Sequence, residues 1–424
     1  AEVRGLFLLA KAAERDLEWA AKRGAAALIS ATSLGGALAS AGTASPDFFA
    51  GHGAIAGLMK TLAREWPSVR VRAVDFAPNI AETEAADWLF DELLHDDAWA
   101  EVGYCDGRRT RLKAVPAPLP KTAGALSLQP GEPILISGGA RGITALVAAE
   151  MARRWKPTLL LLGTSPIEDP RDEPWLAAIT KPSELKAALY KTLRGSGRDV
   201  APAKLEQVYH ALRRSREVRA NLARFETLGA RVDYAQVDIR DASALEKALV
   251  DWRRRFGDPA GLIHGAGLIQ DKLIGDKSPE SFDRVMGTKL DGALNLVRFV
   301  RPEALRFAVF FSSIAGRFGN RGQSDYAAAN DALNKLAVWL DGRWPGRVVA
   351  PIWGPWSGVG MVSDLEAVLG SRGLGMIAPE TGVAALMDEL DRGRKGDVEV
   401  ILAGDLGGLD APLKRIPSRE GALR

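Results

Sequence analysis

Residues 133–144 have the sequence Pro-Ile-Leu-Ile-Ser-Gly-Gly-Ala-Arg-Gly-Ile-Thr. The first five are a short apolar run that is typical of a buried strand, and a helix is predicted for Ala145–Trp155 after the glycine-rich turn. This order presents backbone N–H groups and a helix N-terminus to a pyrophosphate. An ordinary turn between a strand and a helix is the alternative. The context favours a parallel α/β sheet whose turn binds a dinucleotide through Gly138, Gly139, Ala140, Arg141, Gly142 and Ile143.

The end of the next predicted strand indicates which dinucleotide is bound. Residues 158–163 are mostly apolar, Thr164 and Ser165 follow them, and the first carboxylate is Glu168. An enzyme that uses NAD is expected to have an acidic residue here to bind the ribose 2′-hydroxyl. Without one, a 2′-phosphate meets no repulsion, and Arg141 can pair with it. We therefore predict NADPH, with Thr164 and Ser165 among the residues that bind it.

A helical insertion is predicted at about residues 167–227, where Lys, Arg, Leu and Ala predominate. It includes helices at Ser183–Leu193 and Leu205–Leu222. The basic run Arg213-Arg-Ser-Arg216 is typical of a solvated helix face. A docking surface for an acidic carrier protein is the alternative interpretation.

A second chemically informative region begins with the apolar residues 309–311, which predict a buried strand. Ser313 follows this strand, and the Ala-rich residues 326–340 predict a helix. Tyr326 and Asn330 are four residues apart, so they lie on one face of that helix. A serine at a strand end and a tyrosine on the next helix can place two hydroxyls on one carbonyl oxygen.

Such a tyrosine needs a nearby cation, because a buried tyrosine is a weak acid that does not release its proton unaided at neutral pH. Lys289, within Gly287-Thr-Lys-Leu-Asp-Gly292, is the candidate. Taken singly, Ser313 could cap a loop, Tyr326 could be a core residue and Lys289 could be solvated. Their order within a Rossmann-type sequence favours one catalytic set.

These motifs resemble those of the ketoreductase domains of multimodular and iterative polyketide synthases, which belong to the short-chain dehydrogenase/reductase superfamily. The matching segments are Thr288-Lys-Leu-Asp-Gly292, Phe311-Ser-Ser-Ile-Ala-Gly316 and Gly322-Gln-Ser-Asp-Tyr-Ala-Ala-Ala-Asn330. The resemblance implies a catalytic set of Ser313, Tyr326, Lys289 and Asn330. Stand-alone members carry Tyr-x-x-x-Lys, whereas Asn330 fills that lysine position here, and the exchange is typical of the synthase branch.

Other segments are similar to the ketoreductase of polyunsaturated-fatty-acid synthases. They are Gly57-Leu-Met-Lys-Thr-Leu-Ala-Arg-Glu-Trp-Pro67, Arg216-Glu-Val-Arg-Ala-Asn-Leu222, Val232-Asp-Tyr-Ala-Gln-Val-Asp238 and Asp271-Lys-Leu-Ile-Gly-Asp-Lys-Ser-Pro-Glu280. The similarity covers most of the chain and is strongest at residues 133–360. It implies that Asp238, at the end of the third strand and followed by Ile239, binds the adenine amino group.

Two further turns are predicted to contact the nicotinamide half of the cofactor. After the fourth strand, the small residues Gly265, Ala266 and Gly267 let the backbone approach the nicotinamide ribose. After the strand that follows the catalytic helix, Gly354 and Pro355 lie in an aromatic loop that would border the nicotinamide and cover the substrate. The two tryptophans of this loop could instead be ordinary core residues.

Residues 1–120 form a first predicted unit in which helices and strands alternate, as in a doubly wound parallel sheet. Leu28-Ile-Ser-Ala-Thr-Ser-Leu-Gly-Gly36 echoes the segment around Ser313, and each unit has a Trp-Pro pair. Aligned on these pairs, Phe48 lies opposite Tyr326 and His52 opposite Asn330, and a glycine-rich phosphate loop is missing. We predict two Rossmann-like subdomains, the first truncated and non-catalytic. Chance similarity between two strand–helix units is the alternative.

The predicted organisation is therefore a truncated subdomain at 1–120, a linker at 121–132, a catalytic subdomain at 133–408 and a C-terminal linker at 409–424. The linker between the two subdomains is assigned from the proline and glycine content of that segment. A flexible lid is predicted at Asp364–Gly375.

The composition excludes several classes of function. The 424 residues carry a formal net charge of +3 with dispersed basic residues, which does not indicate nucleic acid binding. Cys105 is the only cysteine, so the chain cannot form an internal disulfide or a cysteine-based metal site, and its four histidines lack ligand spacing. No apolar run approaches the roughly 20 residues of a membrane span. The first residues lack a signal peptide, so we expect a piece of a larger cytoplasmic polypeptide.

The resemblance implies an oxidoreductase that uses NADPH to reduce a 3-ketoacyl chain on the phosphopantetheine arm of an acyl carrier protein. Other synthase domains would lie in the same polypeptide. Ketoreductases that make the R alcohol carry Leu-Asp-Asp after the fourth strand, and Ile269-Gln-Asp271 is a partial match. Phe318 replaces the tryptophan that is frequent in makers of the S alcohol. A 3R product is therefore expected. A catalytically silent domain and a superfamily lyase or epimerase are the alternatives.

Overall fold

The computed structural model describes residues 1–40, 48–122, 126–169, 171–195, 200–360 and 373–413. Its internal contacts divide the chain into two compact units. Unit one combines Ala1–Ser127 with Asp258–Arg424, and unit two is Leu128–Gly257. The boundaries of these units differ from those of the predicted subdomains. The subdomain boundaries stay a prediction. Most of the predicted lid, and residues 414–424 of the predicted C-terminal linker, lie outside the described residues.

The first part of unit one is a small α/β layer. Its elements are α1 (Glu2–Ala21), β1 (Ala27–Thr32), α2 (His52–Glu65), β2 (Arg70–Phe76), α3 (Glu82–Leu94), β3 (Glu101–Cys105) and β4 (Arg108–Thr110). The strand order is β1-β2-β3-β4. The first three strands are parallel, and β4 returns antiparallel to β3.

Unit two contains three parallel strands in the order β5-β6-β7. Its elements are β5 (Pro133–Ser137), α4 (Gly142–Trp155), β6 (Thr158–Gly163), α5 (Pro174–Ala177), α6 (Pro182–Arg194), α7 (Pro202–Thr227), β7 (Arg231–Gln236) and α8 (Ala242–Phe256). Helices α5, α6 and α7 are the predicted insertion, and their apolar residues form a cluster of their own. The insertion is therefore a packed helical element.

The second part of unit one carries the strands β8, β9 and β11, which pair in parallel in that order. The elements are β8 (Gly261–His264), α9 (Pro279–Met286), a π-helix (Gly287–Asp291), α10 (Gly292–Phe299), β9 (Phe307–Phe310), β10 (Ser312–Ser313), α11 (Ile314–Phe318), α12 (Ser324–Asp341), β11 (Arg347–Trp353), α13 (Pro379–Arg392) and β12 (Glu399–Leu402). Strand β11 also pairs in parallel with β10 and β12. Short 3₁₀ turns also lie at Ile274–Asp276 and Pro302–Ala304.

Within unit one, α2 packs closely against α12. A Cβ atom on Gly57 would lie 2.4 Å from the carbonyl oxygen of Ala327, so only glycine permits this approach. Nearly every residue of α12 is buried as a result. Because the predicted catalytic tyrosine lies in the first turn of this helix, the packing of α2 fixes the backbone that carries it.

Buried charges join the same two parts of unit one. The ammonium of Lys60 contacts Asp331 at 2.7 Å and Glu101 at 3.3 Å. Arg317 reaches Glu101 at 2.8 Å. Because unpaired buried charges are costly, these pairs make the packing specific to one arrangement.

The α/β fold is confirmed, and one local prediction is corrected. The third strand ends at Gln236 and not at Asp238, whose carboxylate accepts the backbone N–H of Arg240 in a local turn. Among the described residues, no helix is both long and apolar enough to cross a membrane.

Candidate active site

Ser313 lies at the end of β10, where it pairs with Trp353 of β11. Its Oγ atom accepts the N–H of Ala315 at 3.2 Å and so caps α11. A hydroxyl both accepts and donates, so this capping role leaves the Ser313 proton available to a second partner. The strand end and the cap together fix the direction of the side chain.

Tyr326 lies in the first turn of α12 and is buried. Burial raises the pKa of its hydroxyl to about 12, while the side chains of Ser313 and Asn330 lower that pKa in part. The structure thus brings three of the four predicted catalytic residues together. At neutral pH this phenol is protonated and can act as a proton donor.

Lys289 lies in the π-helix, a rare distortion that is frequent at functional sites. Its ammonium donates to the carbonyl of Phe311 and lies 5.9 Å from the ring centroid of Tyr326. Burial lowers the pKa of Lys289 to about 7. The fourth predicted residue is therefore beside the tyrosine, with a charge that changes near neutral pH.

His264 supports the backbone of Lys289. The Nε2 atom of this buried histidine lies 2.9 Å from the carbonyl oxygen of Lys289, and because a carbonyl can only accept, Nε2 carries the proton. Burial lowers the pKa of His264 to about 3, so the ring is neutral at neutral pH. Nothing in the sequence indicates this contact with the lysine, which lies 25 residues away.

Asn330 is fully buried one helical turn after the tyrosine. Its Nδ2 donates to the carbonyl of Tyr326 at 2.8 Å. Its Oδ1 has no hydrogen-bond partner within the described part of the chain. A buried acceptor without a partner is costly, which is expected where a water or a ligand completes the site.

Asp271, predicted only as part of the stereochemical signature Ile269-Gln-Asp271, also acts on Tyr326. Its carboxylate accepts from Gln323 at 3.0 Å, and burial raises its pKa. The charge of Asp271 also contributes to the raised pKa of Tyr326. A carboxylate here disfavours tyrosinate, which keeps the phenol protonated until a substrate oxygen takes the proton.

The glycine turn of unit two has the geometry of an anion site. Gly138 and Gly142 have φ values of 71° and 56°, in the left-handed region that favours glycine. The N–H of Gly142 donates to Glu217 at 2.9 Å, and Nε of Arg141 donates to the same carboxylate at 3.0 Å. Two donors of this turn region therefore bind the two oxygens of one carboxylate. Phosphate oxygens accept hydrogen bonds in the same way, so these donors fit a dinucleotide phosphate.

The other predicted cofactor residues of unit two have partners of their own. The carbonyl of Ser165 accepts the hydroxyl of Tyr234 at 2.6 Å, and the carbonyl of Thr164 lies 3.5 Å from Gln236. The carboxylate of Asp238 is paired with Arg240, which lowers its pKa, and Ile239 is buried. The proposed contact of Asp238 with adenine stays a prediction.

In unit one, Gly267 has a reason to be small that differs from the predicted one. A Cβ atom at Gly267 would lie 2.8 Å from Cε of Lys289, so the glycine makes room for the lysine side chain. Gly265 and Ala266 precede it after β8. The role of all three toward the nicotinamide ribose stays a prediction.

Gly354 and Pro355 follow β11. A Cβ atom at Gly354 would lie 2.9 Å from Cβ of Ala403, so this glycine permits close packing. The neighbouring Trp353 and Trp356 are buried and stack edge to face at 5.0 Å. The tryptophans are core residues here, and the contact of Gly354 and Pro355 with the nicotinamide stays a prediction.

The family model described as KR domain matches residues 133–358. The chain belongs to the KR domain family. Over 400 residues, 89% of the chain, it is 33% identical to a polyunsaturated fatty acid synthase subunit from Thraustochytrium sp., and it spans 14% of that protein. Polyketide synthase PksL of Bacillus subtilis is 25% identical over 341 residues, 78% of this KR domain and 6% of the relative.

Solved structures show the same architecture. A ketoreductase domain from the bacillaene assembly line matches this KR domain with a TM-score of 0.70 and 22% identity, covering 96% of this chain and 84% of that one. A structure of A-type ketoreductases from a modular polyketide synthase matches with a TM-score of 0.69 and 25% identity, covering 92% and 71%.

These comparisons confirm the resemblance that the catalytic motifs indicated. The chain is a ketoreductase domain of the kind found in polyketide and polyunsaturated-fatty-acid synthases. KR domains are oxidoreductases that bind NAD(P)H. The chain spans less than a sixth of either relative, so the activity of a whole synthase is not assigned to it.

Proposed function

We propose that this KR domain reduces a 3-ketoacyl chain to a 3-hydroxyacyl chain with NADPH, as a 3-oxoacyl-[acyl-carrier-protein] reductase. The substrate would be held on the phosphopantetheine arm of an acyl carrier protein, and the domain would act beside other synthase domains in a cytoplasmic polypeptide. The observation that carries the proposal is the position of the buried Tyr326 beside Lys289, with Asn330 one helical turn later and with Ser313 and Asn330 both acting on the pKa of the phenol.

The chemistry divides between the cofactor and the chain. NADPH, when bound, supplies the hydride that reduces the ketone carbon. The hydroxyls of Ser313 and Tyr326 bind the substrate oxygen, on which negative charge develops. Tyr326 then gives its phenolic proton to that oxygen, and the ammonium of Lys289 stabilises the tyrosinate that remains.

The remaining groups hold this arrangement. The amide of Asn330, with its free buried oxygen, would position a water or the lysine. The glycine turn, residues 138–143, would bind the cofactor pyrophosphate through its N–H groups, and Arg141 would bind the 2′-phosphate. Its donors already hold a carboxylate, which supports this assignment.

The first subdomain is proposed to be non-catalytic. Phe48 stands opposite Tyr326 in the internal alignment and has no hydroxyl to donate a proton. The close packing of α2 on α12 supports a bracing role for residues 1–120.

The stereochemical proposal is a 3R alcohol. It rests on Asp271, part of the partial signature Ile269-Gln-Asp271, which accepts a hydrogen bond from Gln323, the residue just before α12. Chiral chromatography of the product measures the outcome directly, and an S alcohol would refute the proposal.

Substitution of Tyr326 tests the function itself. In Tyr326→Phe, absorbance loss at 340 nm with NADPH and a β-ketoacyl thioester surrogate should fall by about 10²–10⁴-fold, because the general acid is removed. NADPH binding should survive, since the phenol is remote from the phosphate turn in sequence and role. Tyr190→Phe, on α6 of the insertion, is the matched control and should keep full activity.

The same assay separates the alternatives. A catalytically silent domain would bind NADPH without turnover even in the wild-type chain. A lyase or epimerase would show no net consumption of NADPH. Undiminished turnover in Tyr326→Phe would overturn the assignment of the proton donor.

A further inference from the structure

Helix α7 of the insertion contacts the glycine turn of unit two through one face. Glu217 accepts from Gly142 and Arg141 at 2.9 and 3.0 Å. One helical turn later, Nδ2 of Asn221 donates to the carbonyl of Ala140 at 2.9 Å. The insertion is thereby attached directly to the residues proposed to bind the cofactor phosphates.

Arg214 lies on this same face. It precedes Glu217 by three residues and Asn221 by seven, which places all three side chains along one side of the helix. Within the described ranges, Arg214 has no carboxylate partner. Its side chain is largely exposed, and its pKa is lowered, first by partial burial and then by the positive charge of Arg141. Because Glu217 on this face binds Arg141, the two arginines lie on the same side of α7, and only Arg141 has a carboxylate.

The same helix is anchored to the loop that follows β6. Ser215, adjacent to Arg214, is buried, and its Oγ lies 2.8 and 2.9 Å from the carbonyl oxygens of Pro166 and Ile167. Next to them, Ser165 accepts from Tyr234, a residue on which the charge of Arg141 also acts. Helix α7 thus holds both the glycine turn and the strand end at which a ribose 2′-substituent is expected.

We infer that Arg214 pairs with the 2′-phosphate of the cofactor, and that this phosphate displaces Glu217 from Arg141. The inference rests on the proposed use of NADPH. A phosphate monoester carries up to two negative charges and three acceptor oxygens, so it is a stronger partner for two guanidinium groups than one carboxylate. The insertion, and not only the sheet, then determines the preference for NADPH over NADH.

Opposite effects of two substitutions test this inference. The probes are adenosine 2′,5′-diphosphate and adenosine 5′-monophosphate, titrated calorimetrically into the full chain. Arg214→Ala should weaken binding of the diphosphate by about 10-fold, the loss of one charged hydrogen bond, and leave the monophosphate almost unchanged. Glu217→Gln should tighten binding of the diphosphate, because a competing negative charge is removed while a side-chain acceptor for Gly142 stays.

Arg213→Ala is the matched control. This arginine precedes Arg214 on α7, but its guanidinium lies 5.7 Å from the ring centroid of Tyr209, away from the glycine turn. Arg213→Ala should change neither the affinity for the diphosphate nor the affinity for the monophosphate. A loss of diphosphate affinity in Arg213→Ala equal to that in Arg214→Ala would show a general effect of positive charge and overturn the inference.

The remaining outcomes separate this inference from the proposed function. If the wild-type chain prefers the diphosphate and Arg214→Ala retains that preference, only the role of Arg214 is wrong. Weaker diphosphate binding in Glu217→Gln would show that Glu217 is a structural clamp and overturn the competition. If the wild-type chain shows no preference for the diphosphate, the proposed use of NADPH is wrong, and this inference falls with it.

Discussion

At the scale of single residues, the side chain of Lys289 changes its charge close to neutral pH. Burial lowers its pKa from 10.5 to about 7, so the ammonium is present below that pH and is lost as pH rises through it. The cation stabilises the tyrosinate that forms when Tyr326 gives up its proton. We therefore predict that kcat for ketone reduction falls as pH rises above about 7. A pH–rate profile with saturating NADPH measures this.

Lys289→Met is the control for that profile. In this variant kcat should be lower by about 10²-fold. The fall in kcat above about pH 7, which is the alkaline limb of the profile, should be lost, because the titrating group is gone. An alkaline limb that persists unchanged in Lys289→Met would assign the limb to another group and contradict the prediction.

His264 is predicted to act as a positioning residue for the lysine. In His264→Phe, the donor to the carbonyl of Lys289 is lost, and we expect kcat to fall by about 10-fold or more with KM little changed. The alkaline limb of the pH profile should also shift, because the surroundings of the lysine change. The neutral imidazole itself contributes no limb, since its pKa is about 3.

Rescue distinguishes positioning from simple destabilisation. His264→Gln keeps a side-chain N–H and should recover part of kcat and return the limb toward its wild-type position. A Gln variant that is stable, as judged by thermal unfolding, but as impaired as the Phe variant would contradict the positioning role.

Residue types, spacing and the family resemblance predicted Ser313, Tyr326, Lys289 and Asn330 as one catalytic set, and their catalytic role stays a prediction. They could not predict the role of His264, whose contact with Lys289 spans 25 residues. Nor could they predict Glu217, which is 75 residues from Gly142 and lies in a segment whose basic residues suggested only a solvated surface or a docking surface. Contacts of this kind depend on packing between elements, which a local pattern does not contain.

At the scale of elements, two buried strands were predicted most accurately. The predicted strands 133–137 and 158–163 match β5 and β6 at both ends, because an apolar run ends sharply at a glycine or a polar residue. The predicted helix 205–222 extends to Pro202–Thr227, since Pro202 is compatible with a first turn and the polar residues beyond 222 continue the helix. The sequence left α3, β3 and β4 unassigned, because short elements have too few residues to show a period.

The contact between α2 and α12 supplies the prediction at this scale. Gly57→Ala introduces a methyl group 2.4 Å from a backbone oxygen, which the facing helix can relieve only by moving. We expect the free energy of unfolding to fall by about 1–3 kcal/mol, as in other overpacked cores. Activity should fall as well, because Ala327 is adjacent to Tyr326, the proposed proton donor. Urea unfolding and the reductase assay measure the two effects.

Gly5→Ala is the matched control. Gly5 lies in α1, and a Cβ atom there meets no other atom within 4 Å. This substitution should stabilise the chain by about 0.5–1 kcal/mol, the difference in helix propensity, and leave activity unchanged. Equal effects of the two substitutions would show that the close approach at Gly57 carries no cost.

At the scale of the whole molecule, the two predicted subdomains can be compared with the two compact units of the structure. The structure groups the predicted first subdomain with the second half of the predicted catalytic subdomain in unit one. The sequence could not show this grouping, because it depends on pairs such as Lys60 with Asp331, which are 271 residues apart. The internal echo indicated that the two halves are alike and that the first braces the second, but not which residues make the contact.

This grouping predicts that residues 121–424 do not fold without residues 1–120. Removal of the first part exposes the apolar face of α12 that α2 covers, and it takes Lys60 from Asp331 and Glu101 from Arg317. Breaking a buried ion pair by removing one partner costs about 3–5 kcal/mol, and two such losses approach the whole stability of a typical domain, about 5–15 kcal/mol. Expressed alone, residues 121–424 should aggregate and show no cooperative thermal unfolding.

Co-expression with residues 1–120 should restore a soluble complex with reductase activity, because the same buried pairs can form between two chains. A monomeric, active fragment with a cooperative transition would show that the catalytic half needs no brace, and would leave the first subdomain without its proposed role.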